Sequence, residues 1–412
     1  MEIPENSESN NSEPSANPRG ANMRNFDMGR VPPITFGAGR TAEIPKILGE
    51  LGGKSVLVVA DSILAELGVT DKLSDALVEN GIRCELAANV SGEPKEQLVD
   101  QLCEQVRLSG IDSVIGIGGG AAMDTAKLVA AIGPSGTPTE TYALCAEPLP
   151  RNGLPSIAVP TTAGTGSEVT RTSIVSTMGG AKNWYWGEEL MFAHAVLDPE
   201  LTLSLPSHLT AWTGVDAVAH ALEASTARST NAAGLLYGSQ ALQILADALP
   251  RAVADGSDLE QRSRVLWASM LAGLALHNCN THMGHNISHA LGSLSRIHHG
   301  LATGLALEVS MPLLVSRPDG ADNYAAVASA LGGAKHAQEL PEAYVSLMRA
   351  CNIPAELPKA CSQVSADALA AAMKTSANHS MSQNAACAIS YDDLDFIASE
   401  MMSLPIECRQ NA

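Results

Sequence analysis

Basic residues are scarce in this chain of 412 residues. Lys and Arg number 25 against 44 Asp and Glu, which gives a formal charge of −19 at pH 7. Because an acidic surface repels phosphate backbones and anionic lipids, this charge argues against binding to nucleic acid or to a membrane surface. No apolar run is long enough to span a bilayer. The first residues also lack the basic start and apolar centre of a secretory signal.

Paired cysteines are missing as well. None of the eight cysteines forms a CxxC pair, and a chain of this length needs no disulfides to hold its core. We therefore expect reduced thiols and a cytoplasmic protein. There is no GxSxG turn and no cysteine with an evident histidine partner, so nothing in the sequence indicates nucleophilic catalysis.

The amino-terminal half has the pattern of an α/β domain preceded by a polar tail. Residues 1–27 are rich in Asn, Ser, Glu and Pro and are expected to be disordered, because they cannot bury enough apolar surface to offset their ordering entropy. Over residues 28–205, apolar β-type runs alternate with helical patterns at 63–80 and 95–109, and these runs cover 55–61, 112–120, 154–162 and 193–199. Such alternation predicts a parallel sheet covered on both faces.

The carboxyl-terminal half, residues 206–412, has no further strand pattern. Its apolar residues recur at helical spacing, and the breaks fall at Gly, Pro and Asn. The predicted helices cover 208–228, 231–254, 258–278, 281–293, 299–315, 321–332, 339–350, 365–376 and 391–402. The predicted fold class is therefore an α/β domain followed by an all-α domain.

Two turns with small or hydroxyl side chains follow predicted strands. Gly118, Gly119 and Gly120 open a helix, where backbone N–H groups and the helix N-terminus favour a phosphate. A plain tight turn would have the same composition. Thr161 and Thr162 stand in the turn after another strand, at the edge where α/β sheets bind ligands. Together the two turns indicate a dinucleotide crevice.

Asp61 follows a third predicted strand. Its carboxylate could accept hydrogen bonds from an adenosine ribose and repel a 2′-phosphate, which favours NAD over NADP. A carboxylate in this position is also a common helix cap, and the sequence leaves both roles open.

Histidines cluster in the helical half. Six of the eleven lie close together, namely His277, His282, His285, His289, His298 and His299. His285 and His289 are four residues apart and share a helix face, as do Asp216 and His220. Two such pairs can converge on one divalent cation. A single pair is common on a helix surface, but this density in an Ala- and Leu-rich region indicates a metal site.

These motifs stand in the order found in the iron-containing (group III) alcohol dehydrogenases, and the chain resembles that family over all but its tail. The matching segments are PITFGAGR (33–40), GGGAAMDTAK (118–127), PTTAGTGSEVT (160–170), LDPELTLSLP (197–206), TGVDAVAHALEA (213–224) and GHNISHALGSLSRIHHG (284–300). The resemblance implies a Rossmann-like dinucleotide domain, a helical metal-binding domain and an active site in the cleft between them.

The resemblance also implies the roles of individual residues. The metal ligands would be Asp216, His220, His285 and His299, with His289 beside the nicotinamide as the catalytic residue. The dinucleotide would contact Asp61, Gly118, Gly119, Gly120, Asp124, Thr161, Thr162, Thr170 and Lys182.

The expected reaction is the interconversion of a small primary alcohol and its aldehyde. NAD(H) would carry the hydride, and the metal would act as a Lewis acid on the alcohol oxygen. The resemblance favours Fe²⁺, with Zn²⁺ as the alternative, and a homo-oligomer of two or more chains.

The chain departs from the family pattern near these sites. Glu93 replaces an asparagine that many members carry and adds a carboxylate near the expected cofactor edge. His298 replaces a proline, so either His298 or His299 could reach the metal, and the register of the motif favours His299. His282 stands where small residues are usual, and with Thr281 it is expected to line a polar substrate pocket.

Two other functions remain as alternatives. A dehydroquinate-synthase-like lyase shares the two-domain scaffold and would release phosphate from a phosphorylated sugar acid. A non-catalytic metal- or nucleotide-binding protein would oxidise no NADH with any aldehyde. The PTTAGTGSE turn and the H-x3-H-x9-H spacing follow the dehydrogenases.

Overall fold

The computed structural model describes residues 25–180 and 182–407. The tail predicted over residues 1–27 lies outside this part, except for residues 25–27, which are exposed and have no regular secondary structure. The seven cysteines of the described part all have free thiols. Among the described helices, none has both the length and the apolar character that a membrane crossing requires.

Six strands form one parallel sheet in the order β1-β8-β5-β4-β2-β3. They are β1 Ile34–Phe36, β2 Ser55–Asp61, β3 Arg83–Val90, β4 Ser113–Gly118, β5 Ser156–Pro160 and β8 His194–Leu197. All four predicted strands are present. Strands β2, β4 and β5 are buried along nearly their whole length, which explains their continuous apolar sequences.

Four strands were not predicted. The edge strands β1 and β3 lack a continuous apolar run, because β1 has three residues and β3 is mostly exposed or half-buried. Strands β6 Thr172–Ser176 and β7 Lys182–Trp186 form a separate antiparallel pair. Their sequences, TSIVS and KNWYW, mix polar residues with β-branched and aromatic ones and lack the long apolar run of a buried strand.

Five helices cover both faces of the sheet. They are α1 Ile44–Glu50, α2 Ser62–Glu66, α3 Val69–Glu79, α4 Glu96–Ser109 and α5 Gly120–Ile132. Alternate residues of β2 face opposite sides, so that Val56 and Val58 belong to the core with α1–α3 while Leu57 and Val59 belong to the core with α4 and α5. The helical pattern at 63–80 is two helices, because Gly68 adopts a left-handed φ of 68°.

The carboxyl-terminal half is helical, with no strand among described residues 206–407. Its helices are α6 Ser207–Thr226, α7 Ala232–Ala254, α8 Leu259–Cys279, α9 Met283–Leu294, α10 His299–Ser316, α11 Ala321–Val327, α12 Leu340–Ala350, α13 Ala366–Met373, α14 Ser376–Gln383 and α15 Tyr391–Ser403. All nine predicted helices are present, although α11 ends earlier than predicted, and α14 is additional. The fold class is confirmed, and the boundary at residue 205 stays a prediction.

Helix α6 occupies the centre of this half and packs against α7, α8 and α10. Nearly all of its residues after Thr213 are buried, which explains why its sequence is rich in alanine and lacks a polar face. Polar residues within such a helix must find partners inside the protein. Asp216, His220 and Glu223 are buried polar or charged residues of this helix.

Candidate active site

Three neighbouring strand ends bring the predicted dinucleotide residues together. The register pairs Ala60 of β2 with Ile117 of β4, and Gly118 of β4 with Pro160 of β5. Asp61, the glycine turn and the threonine turn therefore lie side by side at the carboxyl edge of the sheet. This is the edge at which parallel α/β sheets bind ligands.

The glycine turn is built around the Asp61 carboxylate. The Gly119 N–H donates a hydrogen bond to Asp61 Oδ2 at 2.7 Å. Gly118 has a φ of 147°, and a Cβ there would lie 2.4 Å from the same oxygen, so this position requires glycine. Burial raises the pKa of Asp61, while the hydrogen bond from Gly119 opposes that rise.

The threonine turn faces the glycine turn. The Thr161 N–H donates to the Gly118 carbonyl at 2.9 Å, and a Cβ on Gly119 would lie 3.6 Å from the Thr162 side chain. Both turns are partly accessible, at Gly119, Gly120 and Thr162. Free backbone N–H groups at the start of α5 and a nearby hydroxyl are suited to binding a phosphate.

A buried ionic network lies beneath these turns. Asp124 on α5 accepts hydrogen bonds from Ser167 Oγ at 2.6 Å and from the Ile174 N–H at 2.9 Å. Lys127 donates to Thr170 Oγ1 at 3.1 Å, and its Nζ lies 3.8 Å from Asp124. Asp124 and Thr170, predicted as cofactor contacts, thus already bind protein groups that join α5 to the threonine turn and β6.

Sequence reasoning missed Lys127 and Glu168 in this network. Burial lowers the pKa of Lys127 to about 8, although Asp124 and Glu168 oppose the shift. Burial raises the pKa of Glu168 to about 7, and Glu168 Oε1 has no hydrogen-bond partner. Their positions in the motifs GGGAAMDTAK and PTTAGTGSEVT could have indicated them, because a charged residue next to a buried turn needs a partner inside the protein.

The histidine cluster forms a compact set of potential metal ligands. One ligand atom each from Asp216, His220 and His285 lies within 4.8 Å of the others. The Nε2 atoms of His220 and His285 are 2.9 Å apart, and His285 Nε2 is 3.8 Å from Asp216 Oδ1. His299 approaches the same oxygen to 3.6 Å through its Nε2. Three of the four predicted ligands therefore form one compact group, and His299 on α10 reaches it through its contact with Asp216.

The hydrogen bonds of this cluster fit a cation. Asp216 Oδ1 is buried without a hydrogen-bond partner, which is costly unless an ion or another donor binds it. His220 Nδ1 lies 3.2 Å from the Gly164 carbonyl, and His285 Nδ1 contacts Glu223 Oε2. Each ring thereby donates through Nδ1 and leaves Nε2 free as a ligand. Three imidazoles and a carboxylate suit Zn²⁺ or Fe²⁺.

Helix α6 also joins the histidine cluster to the threonine turn. A Cβ on Gly164 would lie 2.6 Å from the Thr213 carbonyl, and a Cβ on Gly166 would lie 2.4 Å from the Gly273 Cα. These two glycines let the turn pack directly on α6 and α8. The same packing places the Gly164 carbonyl against His220.

His289 and Lys182 lie beside the cluster. The His289 ring centroid is 5.3 Å from that of His299 and 6.1 Å from that of His285. Burial, together with the nearby Lys182 ammonium, holds the pKa of His289 well below 6.5. Lys182 pairs with Glu93 at 2.6 Å, so the carboxylate that replaces the usual asparagine binds a predicted cofactor residue.

His282 and His298 have different surroundings from those of the predicted ligands. His282 is 1% exposed, and its Nε2 lies 3.0 Å from Thr226 Oγ1. The expectation that His282 lines a substrate pocket is therefore wrong, because its ring is enclosed by protein. The His298 ring packs on Trp212 at 5.2 Å between centroids.

Glu223 is the main residue near the cluster that sequence reasoning missed. It follows Asp216 and His220 on the same face of α6, seven and three residues later. Burial alone would raise the pKa of Glu223, but the facing His282 and His285 rings lower it to about 2. The pattern D-x3-H-x2-E could have indicated it.

The two halves of the chain match two parts of one family. Residues 32–199 match the family described as iron-containing alcohol dehydrogenase, and residues 210–397 match the carboxyl-terminal part of the Fe-containing alcohol dehydrogenase family.

Similar proteins agree with these matches. The chain is 37% identical to the probable alcohol dehydrogenase EutG of Escherichia coli (strain K12), over 70% of this chain and 74% of that protein. It is 30% identical to the NAD-dependent methanol dehydrogenase of Bacillus methanolicus, over 68% of this chain and 73% of that protein. The structure of sulfoacetaldehyde reductase from Bifidobacterium kashiwanohense in complex with NAD⁺ has a TM-score of 0.84 at 27% identity, covering 92% of this chain and 99% of the other.

A parallel sheet with polar strand ends, facing a helical half with an Asp-His-His cluster, defines the class of dinucleotide-linked metal oxidoreductases. The chain belongs to the iron-containing alcohol dehydrogenase family and is an NAD-dependent enzyme that interconverts an alcohol and an aldehyde.

Proposed function

We propose that the active site lies where the glycine and threonine turns face the cluster on α6, α9 and α10. A divalent cation would be held by Asp216, His220, His285 and His299. The observation that carries this proposal is the buried, unpartnered Asp216 Oδ1, with two imidazole Nε2 atoms beside it. NAD would bind the two turns, its pyrophosphate at the start of α5.

The protein groups around the cation have distinct tasks. When bound, the cation would supply Lewis-acid polarisation of the alcohol or carbonyl oxygen, and the nicotinamide would exchange the hydride. His220 and His285 are held with Nε2 inward by the Gly164 carbonyl and Glu223. His289 is neutral at physiological pH because its pKa is low, so it offers one donor and one acceptor that orient the substrate.

The remaining cofactor contacts differ in how directly they act. We propose that Asp61, which accepts the Gly119 N–H, contacts the adenosine ribose. Lys182, whose charge lowers the pKa of His289, would contact the nicotinamide side. Asp124 and Thr170 support the turns through Ser167 and Lys127. We therefore assign Asp124 and Thr170 to the framework of the cofactor site rather than to direct contact with it.

The substrate class is a small primary alcohol. Two of the similar proteins described above are named for methanol and sulfoacetaldehyde, which are molecules of one and two carbons. Another relative, 34% identical over 73% of this chain, is named a long-chain-alcohol dehydrogenase, so chain length is the property to test. A series of aldehydes of increasing chain length, with NADH and NADPH, tests this assignment. Activity that rises steadily beyond medium chain lengths would contradict it.

Metal dependence is tested by stripping the protein and restoring Fe²⁺ or Zn²⁺ separately, anaerobically. We expect the activity of the stripped wild type to return with at least one of the two ions. The stripped variant His220→Ala should stay inactive with both. A stripped protein that keeps its full activity, or one that regains none with either ion, would contradict the proposed metal dependence.

The protein is also proposed to be a cytoplasmic homo-oligomer. Strand β1 lies at an edge of the sheet, and Phe36 on it packs on Trp267, which is 38% exposed. An apolar edge of this kind is suited to a second copy of the chain. Sedimentation velocity should give at least twice the mass of 42.7 kDa, and a single-chain mass would contradict the proposal. Free thiols suit a reducing compartment, which cell fractionation can test.

A further inference from the structure

A fully buried carboxylate lies next to the proposed metal centre. Glu223 on α6 is 0% exposed and sits three residues after His220 on the same helix face. A buried charge of this kind is costly unless several donors bind it. The donors around Glu223 come from α9, which also carries His285.

Each carboxylate oxygen of Glu223 contacts a nitrogen of α9. Oε2 contacts His285 Nδ1, and Oε1 accepts a hydrogen bond from the Gly284 N–H. A Cβ at position 284 would lie 2.9 Å from Leu307 and 3.1 Å from Glu223 Oε1, so glycine allows this close approach. The carboxylate thus ties the first turn of α9 to α6.

His282 completes the surroundings of Glu223. It precedes α9, and its Nδ1 lies 3.3 Å from Glu223 Oε1, while Nε2 lies 3.0 Å from Thr226 Oγ1 on the next turn of α6. The ring therefore lies between Glu223 and Thr226, which are three residues apart, and its hydrogen bond is the one at Nε2.

We propose that Glu223 is a positioning residue of the metal centre and that the buried His282 ring, packed 3.3 Å from Oε1, confines the Glu223 carboxylate. Glu223 keeps His285 in the tautomer with hydrogen on Nδ1, and His285 Nε2 is then a lone pair aimed at His220 and Asp216. The inference rests on the proposed metal site and adds an outer layer to it. Both residues are enclosed by protein.

The isosteric change Glu223→Gln tests the role of the carboxylate. Both Oε1 and Oε2 face donors, and an amide has only one oxygen, so its NH₂ group must point at either Gly284 N–H or His285 Nδ1. In the second case His285 has to place its hydrogen on Nε2, which blocks the ligand atom. The side-chain volume is nearly unchanged by Glu223→Gln, so a loss of metal affinity in this variant would not arise from a cavity.

Cobalt(II) titration of the stripped protein measures this directly, because its visible absorption reports ligand geometry as well as affinity. We expect Glu223→Gln to lower Co²⁺ affinity about 10–100-fold, as is typical for partners of metal-bound histidines, and to alter the absorption bands. His282→Ala should lower affinity by a smaller factor. The matched control His277→Ala removes another buried imidazole and should leave both measurements at wild-type values.

The outcomes separate this inference from the proposed function. A wild type that binds no Co²⁺ refutes the metal site itself. A wild type that binds Co²⁺, with Glu223→Gln folded by circular dichroism and unchanged in affinity and spectrum, overturns the inference alone. If Glu223→Gln does not fold, His282→Ala decides: affinity equal to that of His277→Ala overturns the proposal.

Discussion

Asp61 combines two functions in one carboxylate. Its Oδ2 accepts the Gly119 N–H at 2.7 Å, so the residue shapes the glycine turn as well as placing negative charge at the strand end. A substitution that removes the side chain would change both. The charge and the hydrogen bond must therefore be separated by experiment.

We expect Asp61→Asn to narrow the preference for NADH over NADPH by about tenfold or more, the factor that about 1.4 kcal/mol of lost repulsion would give. The amide oxygen can still accept from Gly119, so the turn should persist. The ratio of kcat/KM for the two cofactors is the measurement. Asp61→Gly should narrow the preference further and also weaken NADH binding. A wild type that uses NADPH as well as NADH would show that Asp61 does not face the ribose.

The adjacent histidines His298 and His299 should behave differently on mutation. His299 Nε2 lies 3.6 Å from Asp216, whereas the His298 ring packs on Trp212. His299→Ala should therefore be metal-poor and nearly inactive. His298→Pro should keep its metal and lose at most about 10–100-fold in activity, as expected for a residue outside the ligand set. Elemental analysis and kcat check both, and the reverse ranking would assign the metal to His298.

At the scale of elements, the ionic network of Asp124, Lys127 and Glu168 holds α5, the threonine turn and β6 together. Lys127 Nζ also donates to the Thr172 carbonyl at 2.7 Å. The two turns of the cofactor site therefore cannot shift independently. A charge change in this network should alter the free energy of unfolding more than it alters the rate of hydride transfer.

The pH dependence of Glu168 follows from its pKa of about 7, raised by burial from 4.5. Between these two values the folded protein keeps a proton that the unfolded chain has lost. The contribution of Glu168 to stability is thus full below pH 4.5 and is lost as pH rises to about 7. Glu168→Gln lacks this loss, so its stability relative to wild type should rise between pH 5 and 7.5.

Urea unfolding of stripped protein at several pH values measures that change. The exchange Glu400→Gln on the exposed face of α15 serves as the control and should leave the pH dependence unaltered. A stability difference for Glu168→Gln that is constant with pH would show that Glu168 is already ionised in the folded protein.

At the scale of the whole molecule, the proposed ligands come from α6, α9 and α10, and a cation would join all three. Free metal at about 100 times its dissociation constant stabilises a folded protein by about 2.7 kcal/mol. Chelation should accordingly lower the Tm by several degrees. His220→Ala should unfold at one temperature with or without chelator. A wild-type Tm that chelator does not change would argue against a cation at this site.

Much of this fold is encoded in local sequence. The buried strands such as β2 are continuous apolar runs, and the long helices α6 to α8 are alanine- and leucine-rich segments separated by short polar breaks at 227–231 and 255–258. The edge strands and the β6–β7 pair were not predictable, because half-exposed strands need no apolar run. Their pairing depends on neighbours distant in the chain.

The sequence by itself determined which helix faces carry the proposed metal ligands and His289. Asp216 and His220 are four residues apart, as are His285 and His289, and the helical period places each pair on one face whatever the rest of the fold does. In the same way, Gly118 could be assigned to a turn from its neighbours alone.

Only the tertiary structure decided what lies behind those ligands. Glu223 meets His285 and Gly284, about 60 residues away, and His282 turns inward to the same carboxylate instead of facing a substrate. These contacts depend on how α6 and α9 pack together. No periodicity within either helix encodes that packing, because a hydrogen bond between distant residues is fixed by the relative position of two elements and not by the spacing within one.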